Sequence, residues 1–280
     1  MRAAVVGHVE WVEFVRVKHP PGAGEIVHAA EWWELPAGGA PVAAVQMLRL
    51  SGGCVFFTAL GDDELGHRAF DELGALGLQV HAVFRDAPQR RAVTHVDARG
   101  ERAITIVGER LSPNGADRLP WDELAGMDAV YFTAGDVGAL RAARAARSLV
   151  CTTRILPMLR DAAVPLDAVV GSDRDPDERY EAGDLNPTPH LAVLTRGEEG
   201  GRFSLDGGPW EAFDPAPPPG PVKDAYGCGD SFAGALAFGL AANGDLRRAI
   251  ELAARCGAAV LTGRGPYERQ PSASELDDRN

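Results

Sequence analysis

Short apolar runs of β-forming residues recur along this chain with helical patterns between them, and that rhythm restricts its fold more than any other feature. The runs are AAVVGHV at 3–9, CVFFTAL at 54–60, DAVYFTA at 128–134, SLVCTT at 148–153, DAVVG at 167–171 and LAVLTRG at 191–197. A strand that is apolar on both sides has two faces to bury, so it belongs in a sheet covered by helices above and below. The helical patterns fit that demand. Residues 63–76, DELGHRAFDELGAL, place Leu65, Ala69, Leu73 and Leu76 on one face, with Asp63 positioned to cap the start. Residues 40–50 supply another helix. The spacing predicts a mainly parallel sheet between helical layers.

Two segments depart from the rhythm. Residues 11–35 alternate apolar and polar around the turn PPGAGE, as a half-exposed antiparallel pair does. Residues 90–107 repeat the pattern around Arg99-Gly100. Together they predict a small β appendage on an αβα body, all within one domain over 1–280. The Pro-rich segment DPAPPPGPVKD at 214–224 reads as a stiff, extended connector.

Composition narrows the function classes. Hydrophobic residues make up 45% and charged residues 24%, as in a soluble globular protein. A net charge of −12 argues against a nucleic-acid backbone as partner, while leaving anions that bind backbone N–H groups. No stretch has membrane-spanning length, and the N-terminus lacks the apolar core of a secretory signal. Cys54, Cys151, Cys228 and Cys256 lie far apart, without a C-x-x-C pair, and suit a reducing cytoplasm. The histidines are equally scattered, and no metal ligands can be assigned.

The connector leads into DAYGCGDSFAGA at 224–235. Phe232, Leu236 and Leu240 then follow at helical spacing, and Asn243-Gly244 is an exit signal. Asp245 can cap a further helix with Leu246, Ala249, Ile250, Ala253, Gly257 and Leu261 on one face. Gly227, Cys228 and Gly229 thus stand at a helix N-terminus, where unpaired N–H groups and the macrodipole converge. Such a spot stabilises developing negative charge, and Asp230 beside it can accept a hydroxyl proton. The helix start is expected to lower the pKa of Asp230 and of the Cys228 thiol. Phosphoryl transfer tolerates a weak base, because positioning and charge neutralisation dominate it. A tight turn with an aspartate cap is the plainer explanation of these four residues taken alone.

Wider context changes that balance. DAYGCGDSFAGA resembles the D-T-x-G-A-G-D-[SA]-F motif of the PfkB (ribokinase-like) carbohydrate kinases. The likeness continues through LAARCGAAVLTGRG at 252–265. Upstream, LTRGEEGG at 194–201 is similar to the family's T-x-G-x-x-G turn, and AGGAPVAAVQMLRLSGG at 37–53 with ALGDDELG at 59–66 to its first block. The blocks occur in the family's order.

The resemblance implies a ribokinase-like three-layer αβα sandwich with a mainly parallel central sheet and a small β lid. It implies ATP-dependent transfer of a phosphoryl group to a hydroxyl of a sugar or nucleoside, with Mg2+ and, in some members, K+. Asp230 would be the base and Gly227, Cys228 and Gly229 the anion hole. Thr195, Gly197, Gly200 and Gly265 would lie along the nucleotide, with Asp224 near a monovalent cation. Gly38 and Gly39 would let backbone approach the acceptor. A homodimer through the lid is common among such proteins.

Departures cluster in the acceptor site. Val12 stands where the family has a sugar-gripping acid, and Ala43 where it has asparagine. Glu10 and Glu13 are near enough to substitute. Trp11, Phe14, Trp32 and Trp33 either pack the lid or a dimer contact, or stack on a ring-bearing acceptor. Ala254 replaces a common asparagine, and SDRD at 172–175 is a weak match to the magnesium-supporting N-x-x-E. Two other classes stay open: a non-catalytic binding protein, and a GDS-type serine hydrolase using Ser231. The hydrolase lacks a histidine after His190.

Overall fold

The computed structural model describes residues 1–277. The nine-stranded main sheet is built from β1 (Ala3–Val6), β4 (Cys54–Gly61), β5 (Gln79–Arg85), β8 (Ala129–Phe132), β9 (Ser148–Thr152), β10 (Ala168–Ser172), β11 (Leu191–Thr195), β12 (Gly201–Leu205) and β13 (Glu211–Phe213). Its order is β13-β12-β11-β10-β9-β8-β1-β4-β5. All neighbours are parallel except around β12, which runs antiparallel to β11 and β13.

Strand composition explains the layers. Val5 faces one apolar cluster and Val6 the other, and Ala168 and Val169 divide the same way. The first cluster is covered by α1 (Gly39–Ser51), α2 (Glu64–Ala75), α5 (Cys228–Asn243) and α6 (Leu246–Val260). The second is covered by α3 (Val137–Ala143) and α4 (Leu156–Ala162). The predicted caps form: Asp63 accepts from the Gly66 N–H at 2.8 Å, and Asp245 from Arg247 and Arg248. Gly244, with φ of 62°, ends α5 as expected. Residues 214–223 carry no regular structure and run exposed into the start of α5.

The two alternating segments pair into a second sheet in the order β3-β2-β6-β7. It contains β2 (Glu10–Arg16), β3 (Glu31–Ala37), β6 (Arg91–Val96) and β7 (Arg102–Val107). Both hairpins are antiparallel, and β2 joins them by pairing parallel to β6. The fold is ribokinase-like: a mainly parallel sheet between helical layers, with a small β-sheet beside it.

Candidate active site

The start of α5 is shaped by a glycine that has no alternative. Gly227 lies at φ of 81°, and a Cβ there would stand 2.8 Å from Cβ of Pro266. Asp224 is buried and fixes the approach, accepting from the Tyr226 N–H at 2.9 Å and the Gly265 N–H at 3.0 Å. The Tyr226 hydroxyl accepts from the Gly38 N–H at 3.1 Å. Three distant segments, around Gly38, Tyr226 and Gly265, are thereby fastened together.

Asp230 projects from the first turn of α5, half-buried, toward Gly39. A Cβ on Gly39 would sit 2.8 Å from Oδ1 of Asp230, so the glycine is what keeps that carboxylate clear. A Cβ on Gly229 would meet nothing within 4 Å. Unpaired N–H groups of a helix start beside open space and a carboxylate form an anion site with a base attached.

Electrostatics revise two expectations. Burial pushes the Asp230 carboxyl above its ordinary value, although the charges of Arg102 and Arg154 pull it down. Burial also pushes the Cys228 thiol up, against the pull of Arg102. The predicted lowering of both groups is overturned because losing water outweighs the helix dipole here. Asp230 is therefore a stronger base than its position alone implies, and Cys228 a poorer nucleophile. Asp224 is likewise raised by burial, and no side-chain cation pairs with it among the described residues.

Glu10, expected at the acceptor, opens β2 beside Gly38, whose Cβ would lie 3.6 Å from the Glu10 N. Glu10 accepts from Arg90 Nε at 2.9 Å and lies 3.5 Å from His8 Nε2. Burial raises Glu10, but hydrogen bonds and charges from His8 and Arg90 outweigh it, and the carboxyl ends below its ordinary value. Burial lowers His8, and its Nδ1 has no partner among the described residues. Val12 and Ala43 are wholly buried and offer no polar atom. Glu13 alternates to the other face of β2 and pairs with Arg91, so it does not stand in for the missing acid.

The aromatic side chains sort by face. Phe14 stacks on Trp33 at 5.0 Å and meets Tyr226 edge-on at 4.9 Å, pinning the β2–β3 hairpin to the α5 approach. Trp11 points away, donating to Glu34 under the guanidinium of Arg68. Trp32 is exposed. Trp33 lies next to Gly265 and under Arg264, with its indole N–H buried and unpartnered among the described residues.

Thr195, Gly197 and Gly200 form the turn between β11 and β12. Thr195 donates to the Gly171 carbonyl at 3.2 Å. A Cβ on Gly200 would stand 2.1 Å from the Phe213 carbonyl oxygen, so packing alone requires that glycine. Phe213, packed against Gly200 and Gly201, stacks on Phe232 of α5 at 6.0 Å and so links this turn to the helix that carries Asp230. Ser231 is wholly buried and accepts from Gln270 Nε2 at 2.8 Å, so it is not placed as an exposed nucleophile for ester hydrolysis.

The match to protein-family models decides the lineage. The model described as pfkB family carbohydrate kinase matches residues 2–162 and 166–273. This chain belongs to the pfkB family. Membership makes it a phosphotransferase with an alcohol group as acceptor. A fructokinase of Solanum tuberosum is 27% identical over 277 residues, covering 85% of this chain and 84% of that one. An ATP-dependent ribose-1-phosphate kinase of Halopiger xanaduensis is 25% identical over 295 residues, covering 99% and 97%. The ribokinase structure from Thermotoga maritima superposes with a TM-score of 0.78 at 18% identity, covering 99% of both chains.

Three participants in this pfkB-family site escaped sequence reading. Arg102 opens β7, donates to the Ala225 carbonyl at 2.7 Å and places its charge on Asp230 and Cys228. Arg154 acts on Asp230 from beyond β9. Tyr226 fastens Gly38. Tyr226 stands at the variable position of the DAYGCGD motif, where the pattern specifies no side chain, and an arginine at a hairpin base reads like any solvated charge. For Mg2+, the described residues include no cluster of three suitable ligands. Of the two acids within SDRD, Asp173 has both oxygens taken by Arg196 and Arg202, and Asp175, at the acid position of the motif, accepts from Arg154 and from the Asp177 N–H. A resident magnesium site does not fit there.

Proposed function

We propose that this protein transfers the γ-phosphoryl group of ATP to a hydroxyl of a sugar or sugar-like small molecule, over a single kinase domain spanning 1–280. Asp230 takes the hydroxyl proton while the N–H groups of Gly227, Cys228 and Gly229 receive charge on the transferring group. Arg102 adds a positive charge from the β-sheet that serves as lid. Thr195, Gly197, Gly200 and Gly265 line the nucleotide, and Gly38, Gly39 and Glu10 the acceptor. The observation that carries this reading is the open space around Gly229 directly beside Asp230, which Gly39 keeps unobstructed. A ribokinase of the same fold from Arabidopsis thaliana is known with ribose and ATP, which supports ATP as donor.

Magnesium enters as part of the Mg·ATP substrate. The buried carboxylate of Asp224, which accepts from two backbone donors and feels Arg16 and Arg102 only through their charge, fits a neighbouring K+. Edge strand β7 is exposed throughout, including Ile104, Ile106 and Val107, which supports a homodimer through the lid. A cytoplasmic setting suits the unpaired cysteines. Among the described residues no helix is long and apolar enough to cross a membrane.

A nucleoside acceptor is the second reading, supported by a nucleoside kinase of the same fold from Burkholderia thailandensis known with inosine. The test is ADP release from Mg·ATP across sugars and nucleosides, with Asp230→Asn in parallel. Turnover that falls about 10²–10⁴-fold in the variant supports the base and names the acceptor class. Turnover untouched by the substitution means another group accepts the proton. ATP binding without turnover on any acceptor points to the non-catalytic alternative.

A further inference from the structure

A second cationic region adjoins the Asp230 site. A cleft of about 250 Å3 is lined by Arg110, Arg154, Ala134, Gly135 and Ile155. Ala134 and Gly135 follow the end of β8, and Arg154 follows the end of β9. The cleft therefore opens at the carboxyl ends of parallel strands, where open α/β sheets take their ligands. Arg110 arrives from the opposite side, three residues beyond β7 of the lid sheet. Arg154 is close enough for its charge to act on Asp230, so cleft and base are neighbours.

The arginines around this cleft differ in how they are paired. Arg90 is committed to Glu10 at 2.9 Å, and Arg154 to Asp175 at 2.5 Å and Glu178 at 2.6 Å. Arg110 has neither ion pair nor hydrogen bond among the described residues, and the like charges of Arg90 and Arg154 act on it. A guanidinium at the mouth of a cleft, within range of the charge of Glu10 but bonded to no carboxylate, presents a planar set of donors to whatever enters. The acceptor side meanwhile has lost two polar positions at Val12 and Ala43. Arg110, exposed, adds a donor there that no carboxylate takes up.

We infer that the acceptor carries an oxyanion, a phosphate or a carboxylate, which Arg110 receives together with Arg154. This rests on the kinase reading above and narrows its substrate class to anionic sugars. Arg110 acts as the specificity residue: it grips the anionic end of the acceptor while the hydroxyl to be phosphorylated faces Asp230.

The experiment compares matched pairs with Mg·ATP and the full chain: ribose with ribose 5-phosphate, fructose with fructose 6-phosphate, glucose with gluconate. The expected result is a kcat/KM at least tenfold higher for the anionic member of one pair, and which pair responds tells phosphate from carboxylate. Arg110→Gln should lower that value by about 10–100-fold, chiefly through KM, as expected for loss of hydrogen bonds between charged groups. Arg110→Lys should recover part of the loss. Equal turnover of neutral and anionic members, or an unchanged ratio in Arg110→Gln, overturns the inference. Turnover of neutral sugars that disappears in Asp230→Asn would then leave the kinase reading standing. If no acceptor is turned over, calorimetric titration with ribose 5-phosphate and gluconate decides. Binding that Arg110→Gln abolishes upholds the anion site while the kinase reading fails, and binding indifferent to Arg110 overturns the site as well.

Discussion

A carboxyl at a helix start is pulled in two directions, and Asp230 shows which force wins. Backbone dipoles and the charges of Arg102 and Arg154 favour its ionised form, yet burial leaves it above the ordinary aspartate value. Only the ionised form can take a proton, so kcat should fall as pH drops through a pKa higher than 3.8. A pH–rate profile for a substrate whose chemical step is slow would show this acid limb, and flat rates down to pH 4 would refute it. Stability should run the other way. Because the folded pKa exceeds the unfolded one, ionised Asp230 opposes folding at neutral pH, and lowering the pH through the folded pKa recovers that loss. Asp230→Asn should therefore unfold at higher urea than wild type at pH 7, with the gap closing toward pH 4. Cys228 follows the same physics: with its thiol raised by burial, maleimide labelling at pH 7 should be slow and should quicken above pH 8. Rapid stoichiometric labelling at pH 7 would contradict that assignment.

At the scale of elements, the two glycines flanking Cys228 do different jobs. Gly227 sits at φ of 81° with Pro266 Cβ 2.8 Å and Val42 Cγ1 3.0 Å from any added Cβ, so Gly227→Ala should cost about 1–3 kcal/mol of stability. Gly229 lies inside α5, and its Cβ would enter open space. Gly229→Ala should fold at least as well, since alanine favours helix by about 0.8–1.0 kcal/mol, while a methyl group in the anion site lowers kcat by about a hundredfold or more. Urea melts and steady-state rates on both variants separate the roles, and a fully active Gly229→Ala would remove Gly229 from the anion hole. These elements were legible because their signals are local. Six apolar runs became β1, β4, β8, β9, β10 and β11, and Asp63 and Asp245 capped the helices they precede. Strands β5, β12 and β13 went unread because they lie toward the sheet's edges, where half-exposed positions break the apolar run. Helices α3 and α4, at seven residues each, are too short to display a period.

At the scale of the whole molecule, sequence reading loses the contacts that tie the two sheets together. Glycine, cysteine and aspartate at 227–230 are consecutive, so their joint chemistry can be read from the chain. Arg102 reaches the same spot from 123 residues away along the chain, and only the hairpin's seating on the α5 approach reveals it. That seating also exposes β7. Its sole partner is β6, so one edge of backbone N–H and C=O groups is left unpaired, and Ile104, Ile106 and Val107 are 43%, 42% and 48% accessible. An open, apolar edge is a site for pairing with another copy, and a two-fold axis beside β7 would cover it on both protomers. Ile104→Asp should shift the protein from dimer to monomer in analytical ultracentrifugation. Because Arg102 begins the same strand, loosening this edge should also lower kcat/KM, while the main sheet keeps its melting behaviour. A wild-type protein that sediments as a monomer at micromolar concentration would end this proposal. A variant that stays dimeric would place the contact on another face.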